Sequence, residues 1–152
     1  MKQLTRHLVS LVAAAGTVTL VMAGCSTGAT RISEEGVNYP SNLAQGETLD
    51  VQVIRRETVI EISNTSALDL PPGKLWLNAW FASDFPGLAV GQTRTFRLAD
   101  FKDRHGERFA AGGFWATRPP DQVVLAQIET TDAQGAPKLL GLVVIGTTNP
   151  PR

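Results

Sequence analysis

Residues 49–63 read Leu49-Asp50-Val51-Gln52-Val53-Ile54-Arg55-Arg56-Glu57-Thr58-Val59-Ile60-Glu61-Ile62-Ser63. Leu49, Val51 and Val53 alternate with Asp50 and Gln52, and after the polar break Arg55-Arg56-Glu57 the pair Ile60 and Ile62 alternates with Glu61 and Ser63. A period of two puts the apolar side chains of an extended chain on one face and leaves the other face wet. The stretch therefore predicts a β-hairpin.

Downstream the same period recurs between strong breakers. Asn64-Thr65-Ser66 and Asp69-Leu70-Pro71-Pro72-Gly73 form a long turn region, because neither proline can donate to a ladder. An apolar, aromatic strand is expected over residues 75–82, stopped by Ser83-Asp84-Phe85-Pro86-Gly87, and another over 93–98, where Phe96 and Leu98 alternate with Thr95 and Arg97. Residues 99–113 read as an excursion with one helical turn begun at Asp100, anchored by Phe101 and Phe109. Gly112-Gly113 permits unusual backbone angles before Phe114-Trp115. Residues 123–129 and 139–145 are apolar on both alternations, as central strands should be, and Thr131-Asp132-Ala133-Gln134-Gly135 joins them as a hairpin loop. About six or seven strands without an amphipathic helix predict an all-β fold, a single antiparallel β-sandwich over residues 46–147 with a polar tail at 148–152.

The run Ile62-Ser63-Asn64-Thr65-Ser66 through Pro72-Gly73-Lys74-Leu75, followed by Val90-Gly91-Gln92-Thr93, resembles immunoglobulin-like adhesion and accessory modules of bacteria. The resemblance covers about half the domain, rests mostly on turn chemistry, and implies a fold without an activity.

Upstream the character changes. Residues 26–45 are mostly polar or small and read as a flexible tether, whose far end Val37, Tyr39 and Leu43 would pin to the domain. Before it, Lys2 and Arg6 precede a largely apolar run from residue 8 to 24, ending in Val21-Met22-Ala23-Gly24-Cys25. The run is short for a bilayer span and dotted with Gly and Thr, so it reads as an export signal over residues 1–24. Its ending resembles the lipobox of bacterial lipoproteins. That resemblance implies cleavage after Gly24, a diacylglyceryl group on the Cys25 sulfur and an acyl chain on the new amino terminus, which together give stable anchoring. By the same resemblance, Ser26 in place of an aspartate implies the outer membrane rather than the inner, with the domain facing the periplasm. Cys25 is the only cysteine, so no intrachain disulfide is possible, and no cofactor beyond the covalent lipid is expected.

Removing 24 of 152 residues leaves 128, the size of one domain. With Lys2 and Arg6 gone, twelve basic residues face fourteen acidic ones, a net charge of −2, which provides no electrostatic footprint for nucleic acid or for anionic lipid. Arg94, Arg97, Arg104, Arg108 and Arg118 would make a basic band if the fold gathered them, but interspersed acids favour a mixed surface.

The one titratable cluster is Asp100, Asp103, His105 and Glu107. Such ligands suit a divalent cation, but Lys102 and Arg104 among them repel one, and a salt-bridged surface loop is the preferred reading. His105 has no nucleophile motif to serve, which makes a His105-dependent enzyme the least favoured function. Trp76 and Trp80 share one face of the expected strand. With Trp115 they are candidates for contact with a glycan or a partner protein, against the preferred alternative of core tryptophans. The expected function is that of a lipid-anchored, non-enzymatic accessory or assembly factor that binds another envelope protein. A carbohydrate or peptidoglycan binding module is the alternative.

Overall fold

The computed structural model describes residues 36–132 and 134–146. The signal at 1–24, Cys25, the tether up to residue 35 and the tail at 148–152 lie outside the described residues. Seven strands form: β1 (Gln45–Arg56), β2 (Val59–Asn64), β3 (Gly73–Leu77), β4 (Phe81–Phe85), β5 (Thr93–Arg97), β6 (Ala126–Thr131) and β7 (Pro137–Ile145). The hairpin expected from residues 49–63 is β1 and β2, paired antiparallel from Arg56 opposite Val59 to Val51 opposite Asn64. Its alternation is used as read: Leu49, Val51, Val53, Ile60 and Ile62 are all buried in the core. A 3-10 turn, Leu98–Asp100, follows β5, so Asp100 closes the helical turn it was expected to open.

The domain is all-β, but its strands do not divide into the two antiparallel layers of an immunoglobulin-like sandwich. They form one mixed sheet in the order β4-β3-β6-β7-β1-β2-β5, curled strongly into a half-barrel. β1 and β7 run parallel, while every other pair is antiparallel. Alternation states which face of a strand is dry. It does not state which strand lies beside it or in which direction, because those choices are made by pairings distant in sequence. The β1–β7 register shifts between Gln45 and Thr48 and again between Leu49 and Gln52. Irregularities of this kind bend a strand and increase its twist, which lets one sheet wrap its own concave face. Leu75, Leu77, Phe85, Ala126, Ile128, Leu140 and Leu142 fill that face with the hairpin's side chains, and Leu98, Phe101 and Phe109 complete the filling. The curl brings the two ends of the sheet together, so that Phe85 of β4 and Phe96 of β5 stack with centroids 6.0 Å apart.

The single strand expected over residues 75–82 is a hairpin. β3 ends at Leu77, the Trp80 N–H donates to the Leu77 carbonyl at 3.1 Å, and β4 begins at Phe81. Asn78 and Ala79 both take positive φ, 56° and 54°, as the central residues of a type I′ turn must. Trp76 and Trp80 therefore do not share a strand face. The sequence hid this turn because it has no glycine and is flanked by apolar residues. The tie that favours it is remote: Asn78 Nδ2 donates to the Gln122 carbonyl at 2.7 Å, and its Oδ1 accepts from Val124 N–H at 2.9 Å.

Residues 36–44 lie on the outer face of the sheet. Tyr39 stands edge-on to Trp76, centroids 5.3 Å apart, and its hydroxyl donates to Gln127 Oε1 at 2.7 Å. The buried Trp76 indole donates in turn to Glu129 Oε2 at 2.8 Å. The segment thus buries the largest aromatic of the outer face and fixes where the chain enters the domain.

Candidate functional site

The expected titratable cluster is a loop held together by Asp103. Asp103, 3% exposed, accepts on Oδ1 from the His105 and Glu107 N–H groups, both at 2.8 Å, and on Oδ2 from Trp80 Nε1 at 3.2 Å. Burial opposes its ionisation, but these donors outweigh that effect and hold its carboxyl below the usual aspartate range. With its oxygens so occupied, Asp103 organises the loop from within. Asp100, His105 and Glu107 are exposed, and the Arg104 Nε–H donates to His105 Nε2 at 2.9 Å. Among the described residues no three His, Cys, Asp or Glu side chains are placed to hold a metal ion, and no buried side-chain nitrogen or oxygen lacks a hydrogen-bond partner.

The three tryptophans separate. Trp76 is fully buried, whereas Trp80 is 46% exposed with the Arg104 guanidinium 5.3 Å from its ring centroid. Trp115 is 88% exposed, and Phe114 beside it is 90% exposed. No ring contact joins any two of the three tryptophans.

Phe114 and Trp115 occupy the tip of a loop, residues 111–120, whose neck is closed on itself. The Ala110 N–H donates to Asp121 Oδ2 and the Asp121 N–H to the Ala110 carbonyl, both at 2.9 Å. Arg55, on β1, reaches across the neck. Its Nη2 donates to the Ala111 carbonyl at 2.8 Å, its Nη1 to the Asp121 carbonyl, and its Nε to the Glu57 carbonyl at 3.1 Å. Partial burial lowers the Arg55 pKa and the Asp121 carboxylate opposes that shift, so the cation stays in place as a clamp. Higher in the loop, Gly112 has φ 81° and is so close to Pro120 that a Cβ would lie 3.0 Å from the proline Cβ. A turn from Gly113 to Ala116, bonded at 3.1 Å, then carries the two aromatics, which meet edge to face at 4.8 Å and 89°. Loops closed at the neck and packed on themselves are a common way to hold functional side chains clear of a scaffold.

The second exposed feature is a sheet edge. β4 and β5 end the sheet, and they end it differently. β4 is bridged at Ala82: the Ala82 N–H donates to the Lys102 carbonyl at 2.8 Å, and the Ala82 carbonyl accepts from the Lys102 N–H at 3.0 Å. No such bridge covers β5 among the described residues. Bonds from Asn64 N–H to the Gln92 carbonyl and from Leu98 N–H to the Thr58 carbonyl set the phase of the β2–β5 ladder. Residues 92, 94, 96 and 98 therefore bond inward, and the peptide groups of Thr93, Thr95 and Arg97 point away from β2. All three residues are exposed, as is Arg94.

Sequence reasoning singled out Trp115 but not Phe114, Arg55, Asp121 or the edge of β5. Gly112-Gly113 before an aromatic pair was the available signal for the loop. Arg55 looked like part of a polar break, and its partners lie 56 and 66 residues away. Comparison with protein-family models, with curated proteins and with solved structures gives no match for the chain.

Proposed function

We propose that the protein is a non-enzymatic accessory of the cell envelope. It is held at the membrane by a lipid on Cys25, faces the periplasm from the outer membrane, and binds an extended segment of another envelope protein along β5. The observation that carries this reading is the difference between the two ends of the sheet. Among the described residues, one end is bridged at Ala82 by Lys102, while at the other no backbone group bonds the outward N–H and C=O groups of Thr93, Thr95 and Arg97. Strand addition at such an edge draws affinity from main-chain hydrogen bonds and specificity from the side chains alongside. Here those side chains include Arg94 and Arg97, which favour an acidic partner strand and discourage pairing with a second copy of this edge.

A proline tests the reading directly, because at an outward position it removes a donor that β2 does not use. A photoreactive side chain at position 97 is expected to join one recurrent envelope protein in intact cells, and Thr95→Pro is expected to abolish that product without unfolding the domain. If Thr95→Pro leaves the product unchanged, strand addition at β5 is wrong. The anchor is tested separately: a Cys25→Ser chain should leave the membrane fraction while remaining folded, and its retention after a high-salt wash would overturn the lipid.

A further inference from the structure

The loop at 111–120 asks for a different kind of surface. Exposed aromatic side chains of the size of Phe and Trp each offer roughly 150–250 Å² for burial, and here two of them stand together on a clamped neck. From Arg108 to Pro120 the chain reads Arg-Phe-Ala-Ala-Gly-Gly-Phe-Trp-Ala-Thr-Arg-Pro-Pro, with two arginines and neither a carboxylate nor an amide side chain. Arg108 and Arg118 are exposed, and with Trp115 and Thr117 they line an open depression of about 320 Å³ beside the tip. The Arg118 Nη2 also donates to the Arg108 backbone carbonyl at 3.0 Å, and both residues border this depression, a local positive charge that the net charge of −2 conceals.

We infer that this loop docks the domain onto an anionic lipid surface, with Phe114 and Trp115 entering the interface and Arg108 and Arg118 meeting phosphate groups. Three features favour lipid over the other surfaces an aromatic pair can meet. A sugar needs a flat ring face with acceptors around it for its hydroxyls, and these rings stand at 89° in a segment without carboxylate or amide. A protein interface buries its aromatic and arginine side chains within a broad patch, whereas here the two rings protrude from a loop tip, 90% and 88% exposed. A lipid surface asks for what is present: a protruding apolar tip, a tryptophan whose ring has both an apolar body and a polar N–H, and flanking cations. The clamp made by Arg55 and Asp121 means that little ordering of the loop remains to be done on insertion, which lowers the cost of docking. Insertion would be shallow, about 5–10 Å into the boundary between headgroups and acyl chains, and it is independent of what β5 binds.

The test places the full chain on vesicles of phosphatidylglycerol mixed with phosphatidylcholine, or of phosphatidylcholine alone, with brominated acyl chains as quenchers. Sedimentation reads attachment of the chain as a whole, and quenching of tryptophan emission reads the loop, so a failed anchor and a failed loop are told apart. The chain has three tryptophans, and Trp115→Phe removes the reporter while keeping an apolar tip. The expected result is quenching on the anionic vesicles that disappears in Trp115→Phe. Each arginine near such a surface contributes about fivefold to partitioning, so Arg108→Gln with Arg118→Gln should reduce the inserted population roughly thirtyfold. Arg108→Gln alone leaves the 3.0 Å bond from Arg118 in place and should give about fivefold. Quenching that is equal in wild type and Trp115→Phe, or equal on charged and uncharged vesicles, overturns the inference.

Discussion

Replacing Arg55 by methionine keeps most of the aliphatic stem and removes the guanidinium that holds the neck of the 111–120 loop. Lost with it are the bonds to the Ala111 carbonyl at 2.8 Å and to the Asp121 carbonyl, the bond to the Glu57 carbonyl at 3.1 Å, and the approach to the Phe109 ring at 5.9 Å. Hydrogen bonds from a charged donor are worth about 1.5–3 kcal/mol each where both partners are dry. Ala111 and Asp121 are only half-buried, so water replaces much of what their carbonyls lose, and the cost of partly burying a cation is recovered. A net loss of about 2 kcal/mol in the free energy of opening the neck is the reasonable sum, roughly a thirtyfold increase in the open population. The amides that report it are those of Ala110 and Asp121, which bond to each other's residue across the neck at 2.9 Å. In native-state hydrogen exchange both should speed up by about that factor in Arg55→Met, with little dependence on added urea, because the event is local. If those two amides exchange at the wild-type rate, Arg55 does not clamp the loop and the preorganisation argued for the aromatic tip is lost.

Asp103 should make acid stability depend on the loop it holds. Its carboxyl is held below the ordinary value of about 3.9, so the stabilisation is complete above that pH and is lost as pH falls through the depressed folded-state value. Thermal midpoints of Asp103→Asn should accordingly be lower than wild type at neutral pH and converge towards it below about pH 4. Tyr39 and Trp76, in edge contact at 5.3 Å, should show a coupling of about 1 kcal/mol in a urea double-mutant cycle of Tyr39→Leu and Trp76→Phe. Strict additivity would mean that residues 36–44 do not bear on the sheet in solution. Ala79→Gly should stabilise the protein by about 0.5–1 kcal/mol, since Ala79 sits at φ 54° and glycine relieves that strain at some cost in unfolded-chain entropy. A lower urea midpoint for Ala79→Gly would show that the β3–β4 turn is not of this type.

Much of the chain was legible because its signals are local. The breaks at Asn64-Thr65-Ser66 and Pro71-Pro72, the alternation in β1, β2 and β5, and the Asp132 turn all appear where residues a few positions apart require them. Asp132, for example, accepts on Oδ1 from Gln134 and Ala136 N–H at 2.9 and 2.8 Å, a turn readable from one residue type. The β3–β4 turn was not legible, because Asn78 owes its conformation to Gln122 and Val124, 44 and 46 residues away. The same holds for the candidate surfaces. Trp115 could be named from the sequence but not placed, and Trp76 and Trp80 looked equivalent until Tyr39 covered one and Arg104 approached the other.

By itself the sequence determined the class of secondary structure, the hairpin from β1 to β2 and the position of most turns, since these follow from alternation and from backbone restrictions at proline, asparagine and glycine. Only the tertiary structure decided that seven strands make one curled mixed sheet, that β1 and β7 lie parallel at its centre, and that among the described residues one edge is bridged by Lys102 while the other is not. The physical reason is that strand partners, edge caps and clamps such as Arg55 are contacts across tens of residues. Their free energy is settled by how the whole concave face packs, and no short stretch of sequence carries it.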